Sequence, residues 1–240
     1  MDSGEIKKEM AMTYDELVNH LLHKYGKAKY DYFCNETCES YNKKVSRTRE
    51  GLYCHHIDED KEIMLSESLI AKSRPYKYQK ADRLVYCNIL EHVMLHIKIM
   101  ECPHIEAKRQ FGTDGVPVVG VGGVYLMCPR INDYFNGSPI EEKWRIPGFS
   151  LIENNFEDYI EILKYFLPLA NTYSYNALKS REKKRKEEIS KGIDKEAAKI
   201  LFANESSNYK LENKEKISQD PDEEIVKKVK YMIDYKKLPS

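Results

Sequence analysis

Arg83-Leu-Val-Tyr-Cys-Asn-Ile-Leu-Glu-His-Val-Met-Leu-His96, read with Cys54-His-His-Ile57, decides the fold. Arg83 to Cys87 is a short run of strand-forming residues. Asn88 is a good helix N-cap and Glu91 stands at N3, so a helix is expected from there to about Met100. Ile89, Leu90, Val93, Met94 and Ile97 form its apolar arc. His92 and His96 lie at the edge of that arc, four residues apart and therefore on one helix face. Upstream, Glu50 to Ile57 reads as a strand ending in the adjacent His55 and His56. The predicted local order is strand, loop, strand, helix.

Two imidazoles on one helix face can grip a single cation. A third from a neighbouring strand completes a three-ligand site with positions left open, which is catalytic rather than structural geometry. A fourth histidine is then free to act as a base, and metal plus base is a hydrolytic design.

Outward from this core, Thr13-Tyr-Asp-Glu16 reads as a capping box. It opens an amphipathic helix through Leu17, Val18, Leu21, Leu22 and Tyr25 that stops at Gly26. His20 and His23 on it read as solvent-facing or rim histidines. Cys34 and Cys38 could form half a zinc site, but no second pair lies at a suitable spacing. Asp58 to Ala81 reads as a long polar insertion with a short helical piece near Ser66 to Lys72. Gly112 to Met127 lacks the Gly-Lys-Ser/Thr ending of a phosphate loop and reads as a glycine-containing buried strand or hairpin. Phe156 to Leu169 returns to helical periodicity.

Beyond Ala170 the composition shifts to a basic cluster at 181–186 and a helical stretch at 194–202. The span 190–211 has the outline of a helix-turn-helix, although a charged solvated helix explains the same residues. A final short helix is expected at 223–235. Three regions follow: a helical N-terminal part (1–50), a core (51–170) and a charged helical C-terminal part (171–240) that is a candidate for DNA contact.

The 240 residues are 41% hydrophobic, 32% charged and 11% aromatic, with 39 basic residues against 39 acidic ones. A zero net charge gives no global pull onto a polyanion, so nucleic-acid contact must come from local patches. No stretch has the roughly 20 apolar residues of a bilayer span, and Met1 to Met10 has no signal-peptide character. The six cysteines read as reduced thiols, and the cytoplasm is the expected compartment.

Residues 54–57 and 83–96 resemble the HNH, or His-Me finger, nucleases, in the variant with a doubled first histidine and a final HxxxH. The resemblance covers about a fifth of the chain. It implies an α+β protein in which a ββα-metal core is embedded in mainly helical surroundings. It also implies that His55, His92 and His96 bind one divalent metal ion while His56 is the general base. The family carries Asn where Arg83 stands here, and the 35 residues between His56 and His92 exceed the usual compact hairpin. Arg83 would then hold phosphate, or Asp82 or Asn88 would pin the hairpin instead.

The expected activity is metal-dependent hydrolysis of DNA phosphodiesters, as in restriction, phage defence or a mobile element. Zinc, nickel and manganese suit three imidazoles, and cellular availability brings in magnesium. Arg47, Arg49 and Arg83 are the candidate contacts to the DNA phosphate backbone, with Lys72, Arg74 and Lys80 nearby. Tyr76 and Tyr78 could stack on bases or pack under the insertion. No membrane partner is expected, and a symmetric double-strand cutter would be a homodimer. Two rivals stand beside this reading. One is a non-catalytic, zinc-stabilised module for nucleic acid or protein, with Cys54 or Cys87 as a fourth ligand. The other is a metal-dependent hydrolase acting on a different substrate.

Overall fold

The two capping boxes set the frame of the chain, and both are formed. The structure, a computed structural model, describes residues 3–102 and 120–169. Thr13 accepts from the Glu16 amide, and Glu16 returns a carboxylate oxygen to the Thr13 N–H at 2.8 Å. Asn88 accepts from the Leu90 and Glu91 amides, and Glu91 Oε2 accepts from the Asn88 N–H at 2.7 Å. Each box satisfies donors that a helix start otherwise leaves orphaned.

In chain order the elements that frame the site are α1 (Ser3–Met10), α2 (Tyr14–Tyr25), β1 (Tyr53–His56), α3 (Ser68–Ala71), β2 (Leu84–Cys87), α4 (Ile89–Glu101), α5 (Val121–Phe135) and α6 (Ile146–Ser150). A further helix, α7, runs over 156–169. Short 3-10 turns link several of them, including one at Ile57–Asp60 directly after β1. The pair β1–β2 is an antiparallel hairpin in the register Tyr53↔Cys87, Cys54↔Tyr86, His55↔Val85 and His56↔Leu84. The expected order of strand, insertion, strand and helix is therefore present, and the described part is α+β. All of it except 167–169 falls in a single compact unit.

α4 is apolar on most of its surface because it is covered from several sides. Ile89, Leu90, Val93, Leu95 and Ile97 are all buried, and the helix packs on α2, the hairpin and α5. Burying such side chains contributes roughly 1.5–3 kcal/mol each, which fixes α4 firmly against the hairpin.

One expectation is overturned. Val121 to Met127, read as part of a buried strand or hairpin, is the start of α5. The glycines there serve close helix packing: Gly120 (φ +93°) lies against the His96 carbonyl and Gly123 against the His96 ring, where a Cβ would collide. Residues 112–119 of that stretch lie outside the described residues, as do the basic cluster at 181–186, the span 190–211 and the helix expected at 223–235. Among the described residues no helix is long and apolar enough to cross a membrane.

Candidate metal centre

Strand alternation sends successive side chains of β1 to opposite faces. His55 faces α4, where His92 and His96 project from one side of the helix. The ring centroids lie 5.2 Å apart for His55–His92, 5.1 Å for His55–His96 and 5.0 Å for His92–His96. One ligand nitrogen from each ring falls within 4.8 Å of the other two. The three predicted ligands are thus brought together.

The proton on His55 can be placed from its neighbours. The Tyr14 hydroxyl donates its single proton to the Ile57 carbonyl at 2.8 Å. Its 3.0 Å contact with His55 Nε2 therefore has the ring as donor. With Nε2 protonated, Nδ1 carries the lone pair. That nitrogen is buried without a hydrogen-bond partner, as is Nδ1 of His92; in His96 it is Nε2 that turns toward Glu59, while Nδ1 lies against Gly123 of α5. Burial holds all three rings neutral: it drives the His96 pKa down to about 4, and those of His55 and His92 well below the usual range. Neutral rings with nitrogens that no protein donor satisfies are the donor set that a borderline divalent cation takes. The residues fit the ion.

Tyr14 stands behind His55 as a carboxylate or carbonyl stands behind many metal-bound histidines. Tyr14→Phe removes the acceptor for Nε2–H while keeping the buried ring. It is expected to lower affinity for zinc about 10–100-fold, measured by competition against a chelating dye. Unchanged affinity would show that the hydroxyl does not set the tautomer.

His56 is the expected site residue that the hairpin does not bring to the trio. It lies 1% exposed, its Nε2 is 2.8 Å from Gln79 Oε1, and its ring centroid is 4.4 Å from that of Tyr32. Gln79 Nε2 donates to the Leu65 carbonyl at 3.0 Å, which leaves the amide oxygen toward His56 and makes His56 Nε2 the donor. The insertion between the strands thus pins this ring, in the place where the sequence offered Asp82 or Asn88. Burial lowers the His56 pKa to about 4, so the ring is neutral at pH 7.

The arginines are largely committed to protein. Arg83 forms a fork to Asp58, with Nε–Oδ2 at 2.6 Å and Nη2–Oδ1 at 2.5 Å, tying the two ends of the insertion together. Arg47 binds both Glu50 oxygens and the Tyr25 carbonyl, and its guanidinium lies 4.7 Å from the Tyr86 ring centre. Arg49 is exposed. Tyr76 packs against the cluster of Phe33, Cys38 and Ala71 and donates to the Phe33 carbonyl. Cys54 packs on the opposite, apolar face of the hairpin. Neither it nor Cys87 joins the histidine group, nor do Cys34 and Cys38.

A second cluster, Glu5, Glu9 and His20, already has a cation. Lys24 Nζ sits 2.6 Å from Glu5, 3.5 Å from Glu9 and 2.8 Å from Glu91, knitting α1, α2 and α4 together. Burial pushes the Glu9 pKa up to about 7.

Sequence reasoning missed Tyr14, Gln79 and Gly123, all of which reach the site from distant positions. It also missed Glu59, whose Oε2 lies 3.7 Å from His55 Nδ1 and 3.6 Å from His96 Nε2. Burial pushes its pKa up to about 8. Its one sequence signal, an acidic residue four after His55, is submerged in the acidic run Asp58-Glu59-Asp60. Comparison with known proteins finds no matching family model, no matching curated protein and no matching solved structure.

Proposed function

We propose that this chain is a divalent-metal-dependent endonuclease that hydrolyses DNA phosphodiester bonds, with His55, His92 and His96 as the metal ligands. The observation that carries the proposal is the convergence of three neutral imidazoles, His55 buried and His92 and His96 partly buried, at the meeting of a β-hairpin and a helix. An ion held there would polarise a phosphoryl oxygen and make a water acidic enough to attack near neutral pH. Around it, α4 and β1 supply the ligands from rigid elements, Tyr14 fixes the His55 tautomer, and Gly123 lets the His96 ring lie flat against α5.

His56, the base expected from the resemblance, is buried on the other face of β1 with Nε2 committed to Gln79, so it is not assigned the proton of the attacking water. Exposed Arg49 is the remaining free guanidinium among the three proposed phosphate contacts. A homodimer and the cytoplasm remain part of the proposal.

The test is nicking of supercoiled plasmid by the full chain, titrated with Zn²⁺, Mn²⁺, Ni²⁺ and Mg²⁺. Metal-dependent cleavage abolished by chelator is expected. His56→Ala should leave metal uptake in place, because the ring is outside the histidine trio. It should also cost about 1–3 kcal/mol of stability by orphaning Gln79 Oε1, so uptake is compared at a temperature where the variant is folded. A folded His56→Ala protein that no longer takes up metal would show that the ion is not held by the trio alone. Tight zinc binding with no cleavage under any metal would instead favour the non-catalytic zinc module.

A further inference from the structure

We infer that Glu59 is a fourth ligand to the ion held by His55, His92 and His96. The inference rests on the reading of that trio as a metal site and adds a carboxylate to it. β1 runs straight into the 3-10 turn Ile57–Asp60, and this turn folds Glu59 back beside the end of the strand. Its Oε2 then lies 3.7 Å from His55 Nδ1 and 3.6 Å from His96 Nε2.

Both distances are too long for a hydrogen bond. Because Tyr14 fixes the proton of His55 on Nε2, the ionised form of Glu59 and Nδ1 are two acceptors facing each other with no ring proton between them. A cation resolves that arrangement. Two ligands bonded at about 2.0–2.2 Å to one tetrahedral ion sit about 3.4 Å apart, close to the separations seen.

The surroundings give the same answer. The Glu59 side chain is 13% exposed, and among the described residues no lysine or arginine pairs with it. Its neighbour Asp58 has both Arg83 and Lys61, and Asp60 lies within 4.0 Å of Lys61. A mostly buried carboxylate without a partner cation stays ionised only where a metal ion or another positive charge balances it. A site of three imidazoles and one carboxylate can still expand to five-coordinate to admit a water or a phosphate oxygen.

The experiment is a Co²⁺ titration of the full chain and of Glu59→Gln, followed by visible absorption, with calorimetry for the dissociation constant. The wild type is expected to give the intense d–d bands of a four-coordinate ion. Glu59→Gln should lose that intensity and bind about 10–100-fold more weakly. Its metal-free melting temperature should equal or exceed that of the wild type, since an uncompensated buried carboxylate is gone. This separates loss of a ligand from loss of the fold. Unchanged bands and affinity in Glu59→Gln, alongside lost binding in His92→Ala, would overturn the inference and leave the trio standing. If His92→Ala also binds Co²⁺ like the wild type, the trio itself is not the site.

Discussion

His92→Ala is expected to abolish stoichiometric metal uptake, lowering affinity by at least about 10²-fold, while leaving the metal-free fold in place. The imidazole is one of three nitrogen donors mutually within 4.8 Å, and its removal leaves two. Its cost to the apo protein is small because the ring gives little to the fold: Nδ1 is buried with no hydrogen-bond partner. A ligand that binds only the native state stabilises it by about 2.7 kcal/mol at a hundred times its dissociation constant. The wild type should therefore melt several degrees higher with saturating zinc, and His92→Ala should show no such shift. Differential scanning calorimetry with and without zinc reads both quantities. A variant with the wild-type metal-induced shift would show that the ion binds elsewhere, and the endonuclease proposal would lose its foundation. The Glu5–Glu9–His20 cluster is a poor alternative, because the Lys24 ammonium already occupies its middle.

The parts of this site that were legible in the sequence are those governed by short-range rules. Thr13 with Glu16 and Asn88 with Glu91 announce helix starts because capping chemistry acts over three residues. The spacing of His92 and His96 announces a shared face for the same reason. Convergence of His55 on that face followed from a family resemblance, and the hairpin register delivers it. What stayed hidden depends on tertiary contact. Tyr14 lies 41 residues from His55 and Gln79 lies 23 from His56, and no periodicity links either pair. Val121 to Met127 was misread because glycines in an apolar run suggest a strand or loop, whereas here they let α5 approach the His96 ring. Glu59 was passed over as one charge in a polar insertion, since its burial is set by a 3-10 turn that the sequence does not advertise. The placement of His56 shows the limit of a motif. Adjacent residues on a strand face opposite ways, so two consecutive histidines cannot share one face unless the strand is interrupted.

Glu91→Ala is expected to destabilise the chain by about 3–5 kcal/mol, the cost of breaking a buried ion pair from one side. Glu91 is fully buried and its carboxylate serves three donors. Oε2 accepts from the Asn88 N–H at 2.7 Å, and Oε1 accepts from Lys24 Nζ at 2.8 Å and from the Tyr25 hydroxyl at 3.0 Å. Alanine would orphan the Asn88 amide at the start of α4 and leave the Tyr25 hydroxyl and the Lys24 ammonium with fewer acceptors. At about 2–4 °C per kcal/mol, the melting temperature should fall by roughly 10 °C. Glu91→Gln should lose much less. Its amide oxygen can still close the capping box, its NH2 can donate to the Tyr25 oxygen, and Lys24, which the NH2 cannot accept from, swings to Glu5 and Glu9. The effect also reaches the metal centre, since His92 is the next residue and α4 sets its direction toward His55. Saturating zinc should therefore restore part of the lost stability in Glu91→Ala, and none in the double variant with His92→Ala. Thermal melts of the four proteins form a cycle that reads this coupling. A Glu91→Ala protein within about 0.5 kcal/mol of the wild type would show that the α1–α2–α4 charge network does not hold the site's helix in place.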